Sequence, residues 1–157
     1  MKTLVVYDSF FGNTERVAQA VGEALGSEVA VLRVTAVRPE HVTGLELLVV
    51  GSPTRAFSPT PEISKFIRSL PPRSLKGIDI ATFDTRISLD DINSRALSAL
   101  ARLLGYAAKP IADKLKKKGG KLVLPPEGFF VQGSEGPLKE GEVERAAEWA
   151  KQLLAAR

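Results

Sequence analysis

Ser9, Gly12, Asn13 and Thr14 are the residues of this 157-residue chain best equipped for chemistry, and that chemistry is the holding of an anion. They fall in the stretch Asp8-Ser9-Phe10-Phe11-Gly12-Asn13-Thr14. Before it runs an apolar, β-branched segment of strand length, Thr3 to Tyr7; after it, Glu15 to Leu25 repeats at helical spacing. A strand that turns through small polar residues into a helix leaves the first N–H groups of that helix without intrahelical partners. The positive end of the macrodipole points the same way. Side chains of Ser9, Asn13 and Thr14 add donors, and Gly12 lets the backbone come close to a ligand. No Lys or Arg lies inside the turn, so its anion is held by neutral donors. That favours a phosphate monoester over a triphosphate, whose transfer recruits a lysine and Mg²⁺. The competing role for Ser9 and Thr14 is plain helix capping.

The segment Tyr7-Asp8-Ser9-Phe10-Phe11-Gly12-Asn13-Thr14-Glu15 resembles the phosphate-binding loop of the flavodoxin family, which cradles the 5′-phosphate of FMN. The family pattern runs Ser/Thr-x-Ser/Thr-Gly-x-Thr. Ser9, Gly12 and Thr14 match it, Asn13 is common at its position, and Phe11 departs, leaving only a backbone N–H where a hydroxyl is usual. Gly51-Ser52-Pro53-Thr54 resembles the corresponding segment of the flavodoxin domains in flavo-di-iron oxidoreductases. In the family, the loops after the third and fourth strands grip the isoalloxazine ring, with an aromatic stacked on at least one face. The resemblance therefore implies cofactor contacts from Ser9, Phe10, Phe11, Gly12, Asn13 and Thr14 in the first loop. It implies others from Pro53, Thr54, Arg55, Ala56 and Phe57 in the second, with Phe57 as the stacking candidate, and from Thr85, Arg86 and Ile87 in the third. Arg86 stands where a tyrosine often sits; its guanidinium either lies over the ring, meets the N1–O2 edge, or points to water. Backbone groups of Thr54, Thr85 and Ile87 are expected at the ring's polar edge. Asp8 and Asp84, at strand ends beside the site, cap turns or oppose charge on a reduced ring.

The elements that must position these residues alternate along the chain. Helix one buries Val17, Val21, Ala24 and Leu25 and ends at Gly26. Val29 to Val34 reads as the second strand and Leu45 to Val50, apolar almost throughout, as a third, buried on both faces. Gly51 to Pro59 is a loop by composition; Thr60 caps a helix with Pro61 at its first position and Ile63, Phe66, Ile67 and Leu70 inward. Ile78 to Phe83 is the fourth strand and Asp84 to Ser88 the loop after it. Ile92 to Leu104 reads as a helix with Ile92, Ala96, Ala99, Leu100 and Leu103 inward, and a second helix opens at Lys109 or Pro110. Leu122 to Leu124 begins strand five, Pro125-Pro126 breaks it and Phe129 to Val131 resumes it. Glu142 to Ala155 is the last helix, and Trp149, midway along it, is assigned to packing. Five alternations predict a doubly wound parallel α/β sheet. With the resemblance, this is a flavodoxin-like five-stranded sheet of order 2-1-3-4-5, forming a single domain over residues 1–157. Ligands of such sheets bind beyond the carboxyl ends of the strands, at the switch point between strands one and three.

Composition excludes several chemistries. With no Cys and one His, there is no disulfide, thiolate catalysis, iron–sulfur cluster or histidine-based metal site. No apolar stretch is long enough to span a bilayer and no signal peptide is visible, so a cytoplasmic location without membrane attachment is expected. The lysines from Lys114 to Lys121 lie at a helix end without interleaved aromatics, so a solvated face is favoured over nucleic-acid binding. The net charge of +4 counts against the acidic docking surface of many flavodoxins. P-loop and GxGxxG fingerprints are missing, and a phosphoacceptor receiver would need an acidic pair after strand one and an Asp after strand three, where this chain has Asp8 alone and Gly51. The expectation is an FMN-binding electron-transfer protein serving a redox partner protein or a small-molecule acceptor. The alternatives are a small FMN-dependent quinone/NAD(P)H oxidoreductase and a flavin-free binding module of the same fold.

Overall fold

Alternating apolar residues commit the first strand to the middle of the molecule. Along β1 (Thr3–Tyr7) every residue is buried. Leu4 and Val6 enter one core, while Val5 and Tyr7 enter the other, as the two-residue period of a strand requires. A computed structural model of the chain describes residues 1–92 and 94–157. After β1 come α1 (Asn13–Leu25), β2 (Val29–Arg33), a single turn α2 (Pro39–Val42), β3 (Leu47–Pro53), α3 (Pro61–Ser69) and β4 (Asp79–Ile87). The chain continues through α4 (Arg95–Leu104), α5 (Ala108–Lys117), β5 (Lys121–Leu122), β6 (Glu127–Val131) and α6 (Glu142–Ala155). The strands form one parallel sheet of order β2-β1-β3-β4-β5, and β6 also pairs with β4. This is a flavodoxin-like α/β fold.

Helices α1 and α6 cover one face of the sheet, α3 and α5 the other. On the first face Phe83, Phe129 and Trp149 meet edge to face in a ring of three, each pair of centroids 6.0 Å apart. Such pairs contribute about 0.5–1.5 kcal/mol each beyond burial, so Trp149 is a core residue, as its place in the last helix suggested. The opposite face closes on Ile63, Ile67, Ile111 and Leu115. Thr60 accepts the Ile63 N–H at 3.3 Å with Pro61 in the first helical turn, so the sequence-based start of α3 stands.

Three local expectations are corrected. Gly51, Ser52 and Pro53 are strand rather than loop: they pair with Tyr7, Phe83, Asp84 and Thr85, and Gly51 lies against the Phe83 ring, where a Cβ would collide. Asp84 to Ile87 is also strand, because β6 comes alongside and pairs Phe83–Ile87 with Glu127–Val131 in register. The fifth position of the sheet is thus shared by two segments, with the break at Pro125-Pro126 foreseen from the sequence. The third correction concerns α4. Of the residues expected inward, Ala96, Ala99, Leu100 and Leu103 are exposed, Leu103 at 80%, and only Ala101 of this helix is buried. The reason is competition: α5 follows at once and takes the sheet face with Ala107, Ile111 and Leu115, leaving α4 none to cover.

Candidate functional site

The turn leaving β1 is built as an anion cradle with its mouth open. Gly12 adopts φ +89°, a left-handed conformation that costs other residues about 1–2 kcal/mol, and it delivers the chain into α1. No side chain caps that helix. Ser9 Oγ instead accepts the Gly12 N–H at 3.0 Å, which leaves the Ser9 hydroxyl hydrogen free to donate outward. Plain capping by Ser9 or Thr14 is therefore not what these residues do.

Thr14 is 1% exposed, and its hydroxyl lies 2.8 Å from that of Thr85 on β4. Two hydroxyls that share one hydrogen bond keep one hydrogen between them for a third group. Asn13 is committed elsewhere: its amide donates to Glu135 C=O at 3.1 Å and ties the first loop to the segment after β6.

Arg33 supports this loop from behind, a residue that the sequence pattern did not single out. Its guanidinium donates to Ser9 C=O at 2.7 Å, lies 3.5 Å from Asp8 and 3.7 Å from Glu15, and sits over the Tyr7 ring. Asp8 in turn accepts the Ser9 N–H at 2.9 Å, which is the turn-capping role expected for it. Burial, with a smaller contribution from Glu15, raises the Tyr7 phenol above its ordinary pKa.

The tips of β1, β3 and β4 converge on one crevice of about 430 Å³, a size typical of small-molecule sites. From the first loop Ser9, Phe10, Phe11, Asn13 and Thr14 line it; from the second, Pro53, Thr54, Arg55 and Ala56; from β4, Thr85, Arg86 and Ile87. Val131 and Ser134 complete it, and neither was visible in sequence because only the pairing of β6 with β4 brings them there. Among the described residues no carboxylate lines the crevice. Phe10 and Phe11 stand at its rim, 55% and 49% exposed, and do not fill it.

Two expected residues are absent from the lining. Gly12 borders a neighbouring groove on the α1 and α6 side. Phe57, the stacking candidate, sits with Ala56 in a two-residue turn, at φ +67° and +47°, closed by reciprocal 2.9 Å bonds between Arg55 and Ser58. Left-handed geometry at both central positions carries the Phe57 side chain off the crevice. The aromatic lining comes from Phe10 and Phe11 instead.

Of the orientations expected of Arg86, pointing to water is overturned, because the protein itself holds the side chain. Its guanidinium grips the fully buried Asp84 with two bonds, of 2.6 and 2.7 Å, and stacks on Tyr106 with 3.9 Å between guanidinium carbon and ring centroid. It also covers Gly128, where a Cβ would strike it. Asp84 accepts the Ala108 N–H at 2.9 Å as well, so it caps the start of α5. Burial raises the Asp84 carboxyl above its ordinary pKa against the opposing pull of Arg86 and Ala108. Backbone groups of Thr54 and Thr85, expected at the ring's polar edge, have partners within the protein. Thr54 N–H donates to Thr85 C=O at 2.9 Å, while Thr54 Oγ1 accepts Ala107 N–H at 3.2 Å.

The donor set suits a phosphate monoester: an uncapped helix end, three buried hydroxyl residues and, among the described residues, a lining free of acids. The remaining wall, Phe10, Phe11, Pro53, Ala56, Ile87 and Val131, suits a flat apolar ring. Among the described residues no helix is long and apolar enough to cross a membrane, and no cluster of His, Asp and Glu forms a metal site.

Comparison with known proteins bears on the family and the fold. The family model described as Flavodoxin domain matches residues 4–130. No curated protein sequence matches the chain. Among solved structures, a flavodoxin from the domain Archaea superimposes with a TM-score of 0.74 at 20% identity, covering 99% of each chain. A flavodoxin, WrbA-like protein from Agrobacterium tumefaciens gives 0.71 at 20% identity, over 99% of this chain and 97% of that one. Rubredoxin oxygen:oxidoreductase from Desulfovibrio gigas gives 0.72 at 18% identity over 99% of this chain but 36% of its own length. At these identities the structural likeness speaks for the fold alone.

Proposed function

The chain belongs to the flavodoxin domain family, and we propose that it binds FMN non-covalently in the crevice and carries electrons through it. The observation that bears this reading is the uncapped N-terminus of α1, opening on a cavity lined, among the described residues, by hydroxyls and rings and by no carboxylate. We read residues 1–157 as one domain for this purpose. Bound FMN supplies the redox chemistry.

The chain's own residues supply position and electrostatics. Ser9, the Thr14–Thr85 hydroxyl pair and the first N–H groups of α1 hold the phosphate. Arg33 fixes the Ser9 carbonyl away from it. Phe10, Phe11, Ile87 and Val131 exclude water from the ring. A redox partner protein or small acceptor approaches from the open mouth, where Phe10 and Phe11 are exposed.

Fluorescence titration tests the proposal: the purified chain should quench added FMN and elute yellow from a sizing column. Thr14→Ala should weaken FMN more than riboflavin, because only FMN carries the phosphate. Loss of one hydrogen bond to a charged group corresponds to about 1.5–3 kcal/mol, or roughly a 10- to 150-fold rise in Kd. Equal losses for the two flavins would reject the role of Thr14. In the same preparation, rapid turnover with NAD(P)H and a quinone would make the protein an enzyme rather than a carrier.

A further inference from the structure

Arg55 and Arg86 line the crevice and Arg33 backs its first loop, and two of these three are already spoken for. Arg33 is held by Asp8, Glu15 and the Ser9 carbonyl, and Arg86 is locked on Asp84. Arg55 has no carboxylate partner among the described residues. Its guanidinium rests over the faces of Phe10 and Phe11, at 4.9 and 5.9 Å from their centroids, and all three residues line the crevice. Both rings are about half-exposed, so this contact is a weak one, in water's reach. The backbone beneath is the opposite: Arg55 and Ser58 exchange two 2.9 Å bonds that pin the turn. A fixed base with a loosely held, unpaired cation at its tip is an arm that can move without disturbing the loop.

We propose that Arg55 is the cation for the ligand's phosphate, parked on Phe10 and Phe11 and swung from there onto the anion when the crevice fills. The inference rests on the FMN reading and adds a discriminating residue to it. A charge-assisted, forked hydrogen bond to a dianion outweighs an exposed cation–π contact, so an anionic ligand draws the arm off its rings. An uncharged ligand leaves it parked. Arg55 thus supplies from the tip of β3 the positive charge that the first loop itself lacks.

The test is a paired titration of FMN and riboflavin against the wild type, Arg55→Ala and Arg55→Lys, at low and high salt. Arg55→Ala should raise the Kd for FMN about 10- to 100-fold and leave riboflavin within about twofold. It should also flatten the salt dependence of FMN binding, which Arg55→Lys should preserve because it keeps the charge. Arg55 is exposed, and an unchanged thermal transition confirms that each variant folds. Equal losses for both flavins, or no loss for FMN, overturn the inference while leaving FMN binding intact. A wild-type chain that binds neither flavin ends the FMN reading and this inference with it.

Discussion

The tips of β3 and β4 lie side by side at the crevice, each carries an arginine to it, and the chain restrains the two in opposite ways. At the tip of β4 the backbone is paired on both edges, to β3 and to β6, and the side chain is locked on a buried carboxylate. At the tip of β3 the backbone leaves the sheet into a turn with two left-handed residues, and the side chain lies on exposed rings. The difference teaches that charge at a binding site is available only when nothing nearer has claimed it. Arg86 is the cation that the sequence brings into view, but desolvation of Asp84 makes an unpaired carboxylate so costly that the pair forms first. Arg55 has no carboxylate partner among the described residues and rests on exposed rings.

Removing Arg86 should give the largest effect. Arg86→Ala leaves Asp84 buried without its counter-charge and is expected to destabilise the fold by about 3–5 kcal/mol, read from urea unfolding. A loss no greater than that of an ordinary surface substitution would mean that the ion pair does not hold β4, β6 and α5 together.

The same contrast has a pH signature. The folded-state pKa of Asp84 is raised, chiefly by burial, so its contribution to stability is fullest below the ordinary aspartate range and declines as pH rises through the folded value. Glu142 has the opposite sign. Burial works against its ionisation, but the Arg145 ion pair and the Phe130 N–H outweigh that and hold its pKa below the ordinary glutamate range. Its contribution is present above that range and is lost as pH falls through the folded value. Unfolding free energies measured from pH 3 to 7 should show a smaller acid loss in Glu142→Gln. In Arg86→Ala the decline with rising pH should steepen, since the counter-charge that opposes burial is gone. A profile parallel to the wild type's would remove Asp84 from this account.

The smallest effect belongs to the β3 tip. Ala56 holds φ +47°, where an L-residue is strained by about 1–2 kcal/mol, and glycine recovers that at an entropic cost of about 0.5–1 kcal/mol. Ala56→Gly should therefore stabilise the chain by about 0.5–1 kcal/mol, raising Tm by about 1–4 °C. A fall in Tm would show that the turn is not under strain.

Local order was open to reading from the sequence. β1, α3 and α6 announce themselves by period, by Thr60-Pro61 and by an apolar stripe that ends where the helix ends. The phosphate-loop pattern placed Ser9 and Thr14 at the crevice. Where the reading failed, the missing information came from distant parts of the chain. Asp84 to Ser88 has loop composition, yet Asp84 to Ile87 is strand because β6, some forty residues later, pairs with it. Had that been visible, the two-residue period alone would have set Asp84 and Arg86 on one face and Thr85 and Ile87 on the other. Val131 and Ser134 reach the crevice by the same pairing. Leu103 belongs to a stripe with a proper helical period, but period cannot say whether a sheet face is still vacant when the helix arrives.

By itself the amino-acid sequence determined the order and kind of the elements, the parallel sheet and the cradle at the end of β1, because each is written in neighbours a few residues apart. Tertiary structure alone decided which arginine is held by a carboxylate, which aromatic faces the crevice and how far β3 and β4 extend. Those outcomes turn on desolvation and on strand partners, and both are set by residues remote in the chain.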